Sequence, residues 1–416
     1  RNDWLQLLGR RRDWSTIAVE FPKYRMQDDR EVRCYALAAD AVLSKRDVAQ
    51  DALRLWYAQR DADDGCTWLA EHLHSGKKIN GVELWRRARI AMDANKPKAA
   101  KDAADIEAPR LSEQVTLIFN DPAKYLDKRL VAVTRNRKEL AVLALIRLAA
   151  SDPDKAASLL EHRWGLMLSA EEKNWTWGVI GKQAAQKLQD NASQYFAKVQ
   201  KDSDLNDELL TWKIRAALRT GQWRQVLAAT DALSPEARQD TAWTYWRARA
   251  LLATANSDAQ RQQAQELLRG MAGVRGFYEQ LALEDLGQTI TVPPAPAPLS
   301  ATEKAQAFAN AGLQRALYAI QIGLRPEGNR EWNYSTNLHT PGGMNDRELL
   351  AAADLACQRQ VWDRCINTSD RTKAEVNFEQ RFPMPLREIV VRRAQGIGLD
   401  PAYVYGLIRQ ESRFIM

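Results

Sequence analysis

Trp212-Lys-Ile-Arg-Ala-Ala-Leu218 and Trp246-Arg-Ala-Arg-Ala-Leu-Leu252 follow one pattern: a tryptophan, then small and aliphatic residues at helical spacing, with cations between them. Trp177 stands 35 residues before Trp212, and Trp246 stands 34 after it. The pattern predicts that each tryptophan opens a helix. A second helical stretch follows, as in Trp223-Arg-Gln-Val-Leu-Ala228 and Ala264-Gln-Glu-Leu-Leu268. Nearer the start, Tyr35 and Trp68 sit 33 apart in similar surroundings. A period near 34 residues with an aromatic and several small residues marks helix-pair repeats. Such pairs cannot bury their apolar faces alone, so they stack. The predicted fold class is therefore all-α, a superhelical ring or solenoid.

Composition agrees. Only 20 glycines and 15 prolines occur in 416 residues, while Ala, Leu, Gln, Arg and Lys fill long stretches, which favours helix. Sixty basic against 53 acidic residues leave a net charge of +7. The densest basic run is Arg10-Arg-Arg12, too little for a nucleic-acid surface. A diffuse positive field instead suits an anionic polymer such as a cell wall. The apolar run Leu140 to Ile146 ends at Arg147 and is far too short to span a bilayer, so no transmembrane segment is expected. The chain opens at Arg1 without a signal-peptide pattern, which predicts a processed or trimmed product.

The repeats end near Gly287. Thr291-Val-Pro-Pro-Ala-Pro-Ala-Pro298 holds four prolines in eight residues, which excludes helix and predicts an extended connector. A second helical unit follows, with helices expected over 303–322, 331–338, 346–357 and 361–368 and a turn at Pro341-Gly-Gly343. Arg381-Phe-Pro-Met-Pro385 breaks the chain again. A helix over 386–395 then leads through Gly396-Ile-Gly398 to a last one. The predicted domains are 1–290, 300–380 and 381–416.

Cys34 and Cys66 lie 32 apart, and Cys357 and Cys365 lie eight apart. Two local pairs predict disulfides Cys34–Cys66 and Cys357–Cys365 in an oxidising compartment. Four buried free thiols are the alternative. Positions eight apart in one helix are about 12 Å apart along its axis, whereas a disulfide needs Cα atoms roughly 4.4–6.8 Å apart. The second bond therefore requires a turn between Cys357 and Cys365.

Chemistry concentrates in Asp400-Pro-Ala-Tyr-Val-Tyr-Gly-Leu-Ile-Arg-Gln-Glu-Ser-Arg-Phe-Ile-Met416. Asp400 suits an N-cap and Pro401 the first helical position. Val404, Leu407 and Ile408 form an apolar stripe that Glu411 continues. Burial there and the negative end of the helix dipole would both favour a protonated carboxyl, the state of a general acid. Most glutamates near helix ends are simply solvated, so spacing alone does not assign the role.

Tyr405-Gly-Leu-Ile-Arg-Gln-Glu411-Ser-Arg-Phe414 resembles the first catalytic motif of the lysozyme-like lytic transglycosylases. Arg381-Phe-Pro-Met-Pro-Leu386 resembles the start of the catalytic domain in the soluble lytic murein transglycosylases, and Arg275-Gly-Phe-Tyr-Glu-Gln-Leu-Ala-Leu-Glu-Asp-Leu286 the closing helix of their ring domain. The order of parts is similar too: a superhelical ring, a small helical linker domain, then a lysozyme-like catalytic domain. The resemblance implies cleavage of the β-1,4 bond between N-acetylmuramic acid and N-acetylglucosamine in peptidoglycan, forming a 1,6-anhydro end. Glu411 would be the acid and then the base, and Ser412 would bind substrate or cap the helix. The implied partners are peptidoglycan glycan strands and other cell-wall enzymes, the implied compartment is the periplasm, and no cofactor is implied. The family's later cleft segments, of Gly-Leu-Met-Gln, Thr-Ala and Tyr-Asn-Ala-Gly type, do not follow, because the sequence ends five residues past Glu411. The 416 residues alone are thus expected to fold but to be inactive, or nearly so.

Other signals are weaker. His72-Leu-His74 points its two rings in different directions on a helix, and no further ligand joins them, so no metal is expected. No Gly-rich phosphate loop or nucleophile elbow is present. The 14 tryptophans invite a sugar-stacking reading, but most fall at repeat positions and are expected in the core. Two rival functions stay open: a water-using muramidase, which needs a second carboxylate about 5–9.5 Å from the first, and a helical-repeat interaction scaffold without catalysis.

Overall fold

The structure is a computed structural model and describes residues 1–127, 134–338 and 342–415. Every regular element among the described residues is helical, which bears out the all-α class. The chain divides into two compact units, Arg1–Ile290 and Thr291–Met416.

In the first unit, helices pack mainly on their neighbours in sequence. The repeat pairs are Ala170–Gln186 with Ala192–Ala197, Asp207–Arg219 with Trp223–Ala232, and Thr241–Thr254 with Asp258–Met271. Ala170–Gln186 also packs on Asp207–Arg219, and Trp223–Ala232 on Thr241–Thr254, so one pair seats the next. The repeating tryptophans do not open their helices. Each lies five to seven residues inside, because polar caps start the helices earlier. Ser169 forms a reciprocal capping box with Glu172, Asn206 accepts from the Leu209 N–H, and Asp240 accepts from the Ala242 N–H. Gly181 shows why small residues recur: a Cβ there would lie 2.8 Å from the Phe196 ring of the paired helix.

The apolar run Leu140–Ile146 lies in the helix Arg135–Ser151, which packs on Gly81–Asp93, Glu113–Asn120, Pro122–Asp127 and Ala170–Gln186. All seven residues of the run are at most 1% exposed, so the stretch is apolar on every side because neighbours cover every side. No helix of the described residues is long and apolar enough to cross a membrane. Trp56, Trp85, Trp164, Trp175 and Trp177 are buried here, while Trp212, Trp223, Trp243 and Trp246 are half-buried. A disulfide joins Cys34, on Arg30–Ala39, to Cys66, on Asp64–Ser75, with Cα atoms 5.0 Å apart.

The second unit opens with the proline-rich segment, which has no regular structure. Arg347 fastens its end by donating to the carbonyls of Ala297 (2.8 Å) and Pro298 (3.2 Å). The single helix expected over 303–322 is two helices, Ala301–Ala309 and Ala311–Gln321. Asn310 causes the break: its side-chain oxygen accepts from the Gly312 and Leu313 N–H groups and starts a new helix. The short helix expected near 331 starts at Arg325 and runs to Asn337. Asp346–Gln358 and Trp362–Ser369 follow, with a turn between them that brings the Cα atoms of Cys357 and Cys365 to 5.0 Å in a second disulfide. Gly342 and Gly343 both take positive φ, while Pro341 of the expected turn and Met416 lie outside the described residues. Leu313, Ala316, Trp332, Ala352, Ala356 and Cys365 are the heart of the core, where the Trp332 indole N–H donates to the Thr368 hydroxyl (2.8 Å).

Candidate active site

Two helices end the described chain, Arg387–Gly396 and Pro401–Glu411, and they pack on each other. Gly398, at φ 71°, makes the turn between them. Asp400 caps the second helix by accepting from the Ala402 N–H (2.8 Å), with Pro401 at its first position. Glu411 is the last helical residue.

The helix does not bury the face expected of it. Tyr405 is buried at 8% exposure and donates through its hydroxyl to the Pro385 carbonyl (2.9 Å). Val404, Ile408 and Arg409 are half-buried beside it. Tyr403, Leu407 and Glu411, four residues apart and so on one face, are exposed. The expectation that Glu411 continues a buried stripe is therefore corrected. Tyr405 and Arg409 find polar partners in the preceding chain, and their face turns inward in place of the Leu407 face. Among the described residues the Glu411 carboxylate has no hydrogen-bond or ion-pair partner.

Ser412 does not touch that carboxylate either. Its hydroxyl donates to the Ile408 carbonyl (3.2 Å) and accepts from the Phe414 N–H (3.1 Å), closing the helix end. The other carboxylate of this segment's helix, the Asp400 cap, is eleven residues from Glu411. At about 1.5 Å per residue that separation is roughly 16 Å, beyond the range of a two-carboxylate glycosidase.

Arg409 is the contact that sequence reading missed. Its Nε donates to the Arg381 carbonyl (2.7 Å), and its Nη2 donates to both Asp370 oxygens (2.9 and 3.2 Å). Its guanidinium also lies 4.6 Å from the Phe382 ring centre. A groove of about 490 Å³ runs past this face, lined by Phe382, Met384, Arg387, Tyr405, Arg409 and Phe414; Glu411 is not in its lining.

The histidine pair lies in the other unit. His72 stacks on Trp68 (ring centres 5.0 Å apart), while His74 meets the Ile79 carbonyl (3.3 Å) and Glu107 (3.4 Å). Among the described residues no group of three or more His, Cys, Asp or Glu side chains is placed to hold a metal.

No protein-family model matches the chain. Curated proteins do. The chain is 24% identical over 425 residues to the soluble lytic murein transglycosylase of Salmonella typhimurium, covering 97% of this chain and 62% of that protein. Its Escherichia coli K12 counterpart is 23% identical with the same coverage. The chain thus spans 62% of the length of the curated relatives it matches. Among solved structures, an inactive glutamate-to-glutamine mutant of the lytic transglycosylase Slt from Pseudomonas aeruginosa superposes with a TM-score of 0.64 at 26% identity, over 99% of this chain and 66% of that one. The 70 kDa soluble lytic transglycosylase of Escherichia coli, at 19% identity and a TM-score of 0.54 over 99% of this chain and 65% of that one, shares the fold. The resemblance read from the motifs therefore extends along the sequence and through the fold, and the soluble lytic murein transglycosylases are homologues of this chain over nearly its whole length.

Proposed function

We propose that this protein is a lytic transglycosylase of peptidoglycan and that Glu411 performs both proton transfers. The Glu411 carboxyl protonates the glycosidic oxygen between N-acetylmuramic acid and N-acetylglucosamine, and the C1–O bond breaks. The carboxylate so formed accepts the proton of the muramic 6-hydroxyl as that oxygen bonds to C1. A 1,6-anhydro end results without water, and Glu411 regains its proton. One observation carries the reading: in a chain homologous to soluble lytic murein transglycosylases, the last capped helix of the described residues ends on a glutamate, inside the Arg-Gln-Glu-Ser motif, that is unpaired among those residues. That a related lytic transglycosylase is described as inactive after a glutamate-to-glutamine exchange supports the choice of residue type.

The rest follows from the same reading. Residues 1–290 form the repeat domain, 300–380 a linker domain and 381–416 the start of the lysozyme-like part. Glycan strands are the substrate, other cell-wall enzymes the partners and the periplasm the site of action; the two disulfides suit an oxidising compartment. Ser412 sets the end of the helix beside the acid.

The test is Glu411→Gln in the full-length protein, with sacculi digested and the products identified by mass spectrometry. Loss of 1,6-anhydromuropeptide release by about 10²–10⁴-fold, with an unchanged circular dichroism spectrum, is the expected result. Retained turnover would remove Glu411 from the mechanism. Products with reducing ends would make the protein a muramidase, and no products from the wild type would favour a binding scaffold.

A further inference from the structure

We infer that Arg409 and Asp370 are positioning residues for Glu411, an inference that rests on the function proposed above. The rotation of a helix about its own axis decides where its side chains point, and successive residues turn by about 100°. Arg409 precedes Glu411 by two positions, so fixing Arg409 inward directs Glu411 about 200° away, to the outer face. The observed burial follows that geometry: the Arg409 side chain is 19% exposed, whereas Glu411 is exposed.

The anchor is built to resist rotation. Asp370 receives Nη2 on both oxygens, the Arg381 carbonyl receives Nε, and the Phe382 ring lies under the guanidinium. These three partners engage two nitrogens and one face of a planar group, an arrangement a lysine cannot reproduce. The partners are themselves held. Asp370 caps the C-terminus of Trp362–Ser369 through its N–H to the Ile366 carbonyl (2.8 Å). That helix carries Cys365, wholly buried and bonded to Cys357. Arg381 is 5% exposed and donates to the carbonyls of Ser369 (3.2 Å) and Thr372 (3.1 Å). Two residues beyond Glu411, Arg413 donates to Asn367 of the same short helix. The glutamate thus sits between two arginines fastened to one disulfide-bonded helix pair, which makes residues 346–381 the seat of the acid as well as a connector.

Hydrogen exchange of the 416-residue chain tests the anchor without any activity. Arg409→Ala and Asp370→Asn should each speed exchange of the Pro401–Glu411 amides at least tenfold, with Arg409→Lys intermediate and the 346–358 amides unchanged. In the full-length enzyme the same substitutions should lower kcat about 10–100-fold with KM within twofold, because orientation of the acid and not binding is lost. Unchanged exchange in the last helix would overturn the inference, as would a rise in KM at constant kcat, which would make Arg409 a substrate contact. Inactivity of the unsubstituted enzyme, or activity of Glu411→Gln, would instead overturn the proposed function and leave the exchange result standing.

Discussion

Replacing Arg89 by alanine should destabilise the first unit by about 3–4 kcal/mol at pH 7, and by less as the pH falls. Arg89 is 1% exposed and Glu139 is 0% exposed. They share two bonds of 2.8 and 2.7 Å, and Arg89 adds two more to Glu171 (2.7 and 3.0 Å). The three residues come from Gly81–Asp93, Arg135–Ser151 and Ala170–Gln186, so Arg89 ties its own helix to each of the other two. Burial pushes the Glu139 carboxyl above its ordinary value, against the pull of Arg89, so without Arg89 the carboxyl has two routes. Staying charged and unpaired costs about 3–5 kcal/mol. Taking up a proton at pH 7 costs roughly 1.36 kcal/mol for each unit above its ordinary value near 4.5, about 3.4 kcal/mol in all. The cheaper route sets the loss. Because that route becomes easier in acid, the defect should fall to about 1.4 kcal/mol at pH 5.5. Urea unfolding followed by tryptophan fluorescence at both pH values is the assay, with Glu139→Gln as the milder control because Arg89 keeps Glu171. A loss below 1 kcal/mol at pH 7, or one equal at the two pH values, would refute this account.

Gly328→Ala should destabilise the second unit although alanine is the better helix former: its Cβ would lie 2.7 Å from the Ala316 carbonyl oxygen and 2.7 Å from Ile320, and overpacking of about 1–3 kcal/mol exceeds a propensity gain of about 1 kcal/mol. Gly406→Ala, with nothing within 4 Å of the new Cβ, should stabilise or be neutral, and denaturant midpoints that rank the two the other way would refute the packing argument. The Glu303 carboxyl is held down at about 2 by hydrogen bonds from Arg347 and from Ser300. Its folded value lies below its ordinary 4.5, so its contribution is present above that pH and is lost as pH falls toward 2; Glu303→Gln should flatten the acid limb of a stability profile, and an unaltered limb would exclude it as a contributor.

The fold was legible where the signal is periodic. Tryptophans 34 and 35 residues apart report a structural period directly, because each repeat must offer the same wedge to its neighbour. Helix ends were less legible, since they are set by local polar bonds. Asn310 and Gly312 lie inside a stretch otherwise rich in helix formers, and the bonds of the Asn310 side chain to the Gly312 and Leu313 N–H groups turn one helix into two. Ser169, Asn206 and Asp240 likewise start helices well before the tryptophans that drew attention.

The candidate site divides in the same way. The motif around Glu411 is a matter of residue types in order, which a sequence displays in full. The orientation of its helix is not, because two stripes compete. Val404, Leu407 and Ile408 form an apolar stripe that ends at Glu411; Tyr405 and Arg409 form a narrower polar-aromatic one. Hydrophobic periodicity favours the first, since a methylene in the core is worth about 0.8 kcal/mol. The buried face centres on the second, with Val404 and Ile408 half-buried beside it and Leu407 turned out, because Tyr405 and Arg409 each have a fixed partner, Pro385 for Tyr405 and Asp370 with Arg381 for Arg409, 20 to 39 residues away in the chain. Such partners are invisible to a window of one or two helical turns. The outcome matters for the proposed chemistry: a glutamate turned outward beside Tyr403 and Leu407 can meet a sugar chain, whereas one packed inward under the helix could not reach a glycosidic oxygen.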